Sequence, residues 1–299
     1  MPATPLVQPL VQEPAPRGPF TMLPRSCSVV CVVCIAIAGR PAAVVADESI
    51  PALARKVFDA HKESIVKVTG VAQIRLSAPA RPGLNLPERE DKVRADATVV
   101  DANGLVVTSL SAIDPSRLID GREGNSPMGP IKVDAAATLK ELEIILGDGT
   151  EIPATLVFKD ADLDLAFVRP KADAPEAKGV TFDPIDLADA GSSQVADYTV
   201  SVTRLEDLFN NAAAMMPGQL SAVIERPRPF YLGTNVVRGC PMFTLDGKLL
   251  GIGVVRLSKA QGQGMALVPA AEVLKVMAQI PAAEAAAPVP EAGAPAATN

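Results

Sequence analysis

From Ser64 onward the chain is written as short β-branched and aliphatic runs separated by explicit turns, with hardly any stretch of helical period between them. Ile65 to Val68, Ala97 to Val100, Leu105 to Thr108, Leu142 to Leu146 and Leu165 to Val168 form a first group. Tyr198 to Val202, Gln219 to Ile224, Lys248 to Val255 and Gly264 to Val268 form a second. The turns carry Asp, Asn and Gly at the positions that reverse a strand: Asp101 to Gly104, Gly147 to Gly149, and Asp246-Gly247. Strands spaced this way predict two small all-β units of the sandwich or barrel kind. Hydrophobic residues make up 48% of the chain, but there are only eight Phe, two Tyr and no Trp, so these cores must be largely aliphatic.

Helices are expected only at the two ends. Ile50 to His61 places apolar groups at helical spacing behind Asp47 and Ser49, both good cap residues, and Ala270 to Ile280 closes the second unit. Residues 78–93 and 115–138 mix Pro, Gly and charge without a period and read as surface loops. The organisation expected is a leader over 1–46, a helix and first β unit over 47–175, a second β unit and closing helix over 176–280, and a disordered Ala/Pro tail over 281–299.

The leader has a Pro-rich start, then Met22 as an alternative initiator, Arg25, an apolar run from Cys27 to Gly39, and small residues up to Ala46. That is the layout of a secretory signal peptide cut after Ala46. Arg40 interrupts a run already shorter than the ~20 residues a membrane span needs, so no stable span is expected after cleavage. The expected location is periplasmic or extracellular. Cutting there removes Cys27, Cys31 and Cys34 and leaves Cys240 alone, so no internal disulfide can form in the processed chain. The net charge of −6 and the scarcity of aromatic rings count against nucleic acid as a partner.

Three segments carry a family resemblance. Asp101 to Asp114 (DANGLVVTSLSAID) is similar to the segment that bears the catalytic histidine in Deg/HtrA-type trypsin-like serine proteases. Leu146 to Arg169 (LGDGTEIPATLVFKDADLDLAFVR) resembles their catalytic-aspartate segment. Gly239 to Ile252 (GCPMFTLDGKLLGI) resembles the stretch just past their nucleophile, with Gly191 to Asp197, Gly218 to Val223 and Gly264 to Pro269 matching further strands of the second barrel. The resemblance implies an all-β, two-barrel trypsin-like fold with the site in the cleft between barrels. Nothing after residue 280 could supply the peptide-binding PDZ domain that many members append.

Carried across residue by residue, the triad positions are Ser111 for the histidine, Asp164 for the aspartate and Arg238 for the serine. Only the carboxylate is kept. A serine hydroxyl is no base near neutral pH and a guanidinium is no nucleophile. The chain has one histidine, His61, which falls in the first expected helix and reads as a surface or partly covered residue. The loop that would donate oxyanion N–H groups is shortened to Thr234 to Val237. Cys240, beside Pro241, reads as a small buried hydrophobe rather than a nucleophile, since no base accompanies it. For the space left by the missing imidazole two outcomes are open: Arg238 reaches through it to pair with Asp164, or Arg238 faces solvent while Asp164 accepts a backbone N–H.

No residue pattern calls for a cofactor. Asp160 to Asp164 imitates only the first acidic positions of a calcium loop, and no cysteine–histidine spacing suits a transition metal, so no metal is expected. The reading is an exported, inactive trypsin-like pseudoprotease that binds a polypeptide or an envelope protein. Two alternatives stand beside it: a divergent Deg/HtrA-type serine endopeptidase acting in protein quality control, and a structural envelope-associated protein. Oligomeric state is left open.

Overall fold

The computed structural model describes residues 49–81, 86–126, 129–258 and 262–281. The expected leader and nearly all of the Ala/Pro tail lie outside the described residues. Among the described residues, helices and strands follow the order α1 (Ile50–His61), β1 (Ile65–Ser77), β2 (Arg89–Val99), β3 (Val106–Ser109), α2 (Leu110–Ile113), β4 (Arg122–Ser126), β5 (Gly129–Ile145), β6 (Glu151–Asp160) and β7 (Leu165–Pro170). They continue with β8 (Tyr198–Arg204), β9 (Ala213–Ile224), β10 (Phe230–Gly233), β11 (Pro241–Thr244), β12 (Leu249–Ser258), β13 (Gly262–Pro269) and α3 (Ala270–Met277).

The first sheet runs β1-β2-β3-β7-β6-β5, with β4 beyond β5, and β5 pairs back onto β1, so six strands close on themselves. The second is a closed barrel in the order β10-β13-β12-β11-β8-β9. The fold is therefore all-β and two-barrelled with a helix near each end, as the sequence led us to expect. The turns form as read: Gly104 lies at φ +81 while Asn103 N–H donates to the Asp101 carboxylate at 2.7 Å, and Gly247 lies at φ +85.

Two strands explain why apolar runs were so conspicuous. In β7, Ala166 and Val168 join the aliphatic core of the first barrel, whereas Leu165 and Phe167 face a second core shared with the other barrel and both terminal helices. In β3, Val106 and Val107 divide the same way. Alternate side chains point to opposite faces, so a strand buried on both faces reads as an unbroken apolar run. The second core also takes Ala54 and Val57 of α1 and Val273 and Val276 of α3.

One expectation is corrected. Residues 89–93 and most of 122–138 are strand, not loop: β1 pairs β2 out to Ile74↔Arg89, and pairs β5 out to Ser77↔Asp134. These extensions lie largely at the surface, with exposed or half-buried polar and small side chains, so they lack the apolar alternation that marks a half-buried strand.

Polar groups are buried where the barrels meet. Lys67 of β1 lies opposite Asp96 of β2, with Nζ 2.7 Å from Oδ1 and both side chains nearly inaccessible. The same ammonium donates to Arg204 O of β8 at 2.9 Å, and Thr203 Oγ1 donates to the other Asp96 oxygen at 2.8 Å. Arg204 returns across the seam to Ile65 O and, at 3.1 Å, to Lys62 O. Charges taken out of water need every remaining hydrogen bond supplied, and both barrels contribute them here.

Candidate functional site

The short helix α2 leaves the end of β3 and turns Ser111 back toward the start of β7, where Asp164 stands. Asp164 is buried and has left-handed backbone torsions (φ +59), unusual for a residue with a Cβ. Its own carbonyl accepts Leu110 N–H at 2.8 Å, which ties the two segments together. Its carboxylate is fully engaged. Oδ1 accepts Ser111 N–H at 2.9 Å; Oδ2 accepts the hydroxyls of Ser109 at 2.5 Å and Ser111 at 3.0 Å, and Val255 N–H of β12 at 3.0 Å. Arg117 Nε stands 3.5 Å from Oδ1, and its Nη2 donates to Ala161 O at 2.7 Å.

Of the three residues that the resemblance assigns to the triad, the structure thus brings two together, Ser111 and Asp164. Arg238 is exposed and forms no ion pair with Asp164. The outcome is the second of the two left open: Asp164 accepts backbone N–H groups and Arg238 faces solvent. The cation beside the carboxylate is Arg117 instead. Nothing in the sequence marks Arg117, because it sits in a 3₁₀ turn (Pro115–Leu118) within a stretch that has no period.

Just past Arg238 the backbone is tied to β12 and back to the preceding turn. Gly239 N–H donates to Gly253 O at 2.7 Å and Cys240 N–H to Val237 O at 3.2 Å. Gly239 has φ +75, and a Cβ there would fall 1.9 Å from Asp96 O, so only glycine lets this turn approach β2 so closely. Cys240 is buried; desolvation, reinforced by the nearby Asp96 charge, pushes its thiol well above the ordinary range. A thiol so placed is not a thiolate near neutral pH.

His61 ends α1, with its ring stacked on Phe243 of β11 at 4.3 Å between centroids and 9° between planes. Burial lowers its pKa from 6.5, opposed by the charge of Asp183. None of the hydrogen bonds to the Asp164 carboxylate comes from it. Among the described residues no group of three or more His, Cys, Asp or Glu is arranged to hold a metal ion, and no helix is long and apolar enough to cross a membrane.

An apolar cavity of about 650 Å³ opens at the surface near this site, although Ser111, Asp164 and Arg238 do not line it. Ile224, Phe230, Leu232 and Met265 line it, and its edge carries Asp162, Arg228 and Arg256. Arg256 comes directly after Val255, whose N–H holds Asp164, and Asp162 precedes Asp164 by two residues, so cavity and carboxylate share the same two elements. The Arg256 guanidinium packs 4.6 Å from the Phe230 ring centroid and donates to Asp162 O, while Arg228 lies 3.5 Å from the Asp162 carboxylate. The sequence held no local signal for this cavity, since strands β9, β10, β12 and β13 meet there only in three dimensions.

The sequence profile described as the trypsin-like peptidase domain matches residues 95–252, a span that includes Ser111, Asp164 and Arg238. Among solved structures, the inactive form of a serine-to-alanine mutant of Rv3671c from M. tuberculosis H37Rv is similar at 16% identity and a TM-score of 0.45, over 75% of this chain and 89% of that one. No curated protein matches the sequence.

Proposed function

The chain belongs to the trypsin-like peptidase domain family, and we propose on that footing that it is a Deg/HtrA-type pseudoprotease, which keeps the scaffold, no longer cuts peptide bonds and binds polypeptide in the cavity near Asp164. The observation that carries this reading is the state of the Asp164 carboxylate. In the triad mechanism that group orients an imidazole, which takes a proton from the nucleophile and returns it to the leaving amine. Here its acceptor sites are filled by Ser109, Ser111 and the Val255 N–H, with Arg117 alongside. The one histidine of the chain is stacked on Phe243 instead. Loss of triad members costs about six orders of magnitude in turnover.

Binding is supported by the cavity whose edge is formed by Asp162 and Arg256, chain neighbours of Asp164 and of Val255. It is large enough for side chains of a bound segment, within the range of about 300–1,000 Å³ seen for ligand pockets, and is mainly apolar with convergent polar groups at one edge. Export to the periplasm or the exterior belongs to the proposal and is supported by the leader. The family's usual chemistry needs no cofactor.

A fluorophosphonate probe, which modifies activated serines, tests the first half: we expect no labelling, and stoichiometric labelling would restore the endopeptidase reading. Fluorescence anisotropy with a labelled, reduced and carboxymethylated polypeptide tests the second. Binding that weakens in Met265→Glu, which puts a charge into the cavity, supports it; no binding by the wild type leaves the structural, envelope-associated reading in its place.

A further inference from the structure

The turn between β8 and β9 is the most exposed apolar feature among the described residues. Leu208 is 84% and Phe209 56% accessible. Large apolar side chains on a loose loop would mean little, but this loop is pinned. Phe209 N–H donates to Glu206 O at 2.8 Å and Asn210 N–H to Asp207 O at 2.9 Å. Asn210 and Asn211 both take the left-handed torsions that close a tight reversal (φ 54 each). From below, Arg94 holds Asp207 Oδ1 at 2.5 Å and Asn211 Oδ1 at 2.6 Å, and Arg204 holds Asn211 O at 3.2 Å. The ordering cost that a flexible loop meets on binding has already been met in folding.

We propose that this turn is the ligand of the cavity near Asp164, supplied by a second copy of the chain. The proposal rests on reading that cavity as a polypeptide-binding site, and it names the partner. The chemistry of the two surfaces corresponds. The turn presents Leu208 and Phe209 next to acidic Glu206 and Asp207, which remain 76% and 68% accessible. The cavity presents Phe230, Leu232 and Met265 beneath two guanidinium groups, Arg228 and Arg256, whose two positive charges outnumber the one carboxylate at that edge, Asp162. In a chain of net charge −6, a cationic edge on an apolar hollow selects for such an acidic, apolar tip.

A copy cannot fill its own cavity. The turn precedes Ala213, the first residue of β9, and the cavity is lined by Ile224, the last. Twelve extended residues separate the two ends by roughly 35 Å. The contact is therefore heterologous, one face of a copy against a different face of the next, and it builds rings or open chains rather than a two-fold dimer with a single self-complementary patch.

Sedimentation velocity on the purified protein over a range of concentrations tests this. The wild type should sediment faster as concentration rises. Two variants should each weaken association by tenfold or more: Leu208→Ser with Phe209→Ser, which removes the tip, and Met265→Glu, which spoils the hollow. Both changes lie at accessible positions, so folding is spared, and a matching melting temperature verifies it. An equimolar mixture of the two variants should form a one-to-one complex and nothing larger, because each keeps one working half. A wild type that stays monomeric up to its solubility limit, or that associates as well without the tip, overturns the proposal. The labelled polypeptide separates the two readings. If it binds and its binding weakens in Met265→Glu while no self-association occurs, the cavity binds chains but not this one.

Discussion

At the scale of single residues, the seam between the barrels is held by charges that cannot be removed one at a time. Lys67→Met leaves Asp96 buried beside Thr203 with no cation, and should cost about 3–5 kcal/mol in urea unfolding. Replacing Asp96 by Leu in the same chain should recover a good part of that loss; additive losses would show that the two groups do not act as a pair. His61 sets a pH dependence. Its folded pKa is depressed, so the unfolded chain binds more protons below its own value of about 6.5. Its contribution to stability is therefore complete above about pH 6.5 and declines as pH falls through the lower folded value. The melting temperature should drop more between pH 7.5 and pH 5 for the wild type than for His61→Phe, which keeps a ring on Phe243; equal slopes would remove His61 as the cause. The histidine count was legible in the sequence, and the family resemblance singled out Ser111 and Asp164, which the fold brings into contact. The other partners of Asp164 were not legible, because Ser109, Arg117 and Val255 converge on it from three elements whose contact depends on tertiary structure.

At the scale of elements, the sequence marked strands well wherever burial imposed a pattern. Runs such as Leu165 to Val168 stand out because both faces of β7 are covered, and the Asp-Ala-Asn-Gly turn stands out because its backbone needs those residues. The outer parts of β1, β2 and β5 stayed hidden for the opposite reason: their pairing rests on backbone hydrogen bonds between surface strands, which constrain side chains weakly. The same view bears on repair of the site. Restoring the triad letters with Ser111→His and Arg238→Ser should not restore casein cleavage above the wild-type background. Asp164 would still be bonded to Val255 and Ser109, and the Gly239 and Cys240 N–H groups would still serve Gly253 and Val237. Cleavage by the double variant, absent from the wild type, would show that the donors for a developing oxyanion are present in spite of the short loop.

At the scale of the whole molecule, neither barrel is a finished object alone. Leu165, Phe167 and Val107 of the first barrel lie in a core completed by Val200, Val202 and Phe243 of the second, and α1 packs there too. Residues 49–175 produced by themselves should lack the dispersed amide spectrum of a folded protein, and adding residues 176–281 in trans should be needed to produce it. A well-dispersed spectrum from the first piece would contradict the shared core. Two small all-β units could be read from turn spacing, and the family resemblance implied that each is a barrel; their dependence on each other could not be read, since it appears only as apolar faces turned outward from each barrel. That dependence also has a bearing on time. Lys67 takes its backbone acceptor from Arg204, 137 residues further along. A ribosome adding about 5–20 residues per second reaches that acceptor roughly 7–30 s later. Until then the first barrel can pair its own strands, but Leu165, Phe167 and Val107 have no second barrel to cover them, so a chain still being made carries an unfinished apolar face.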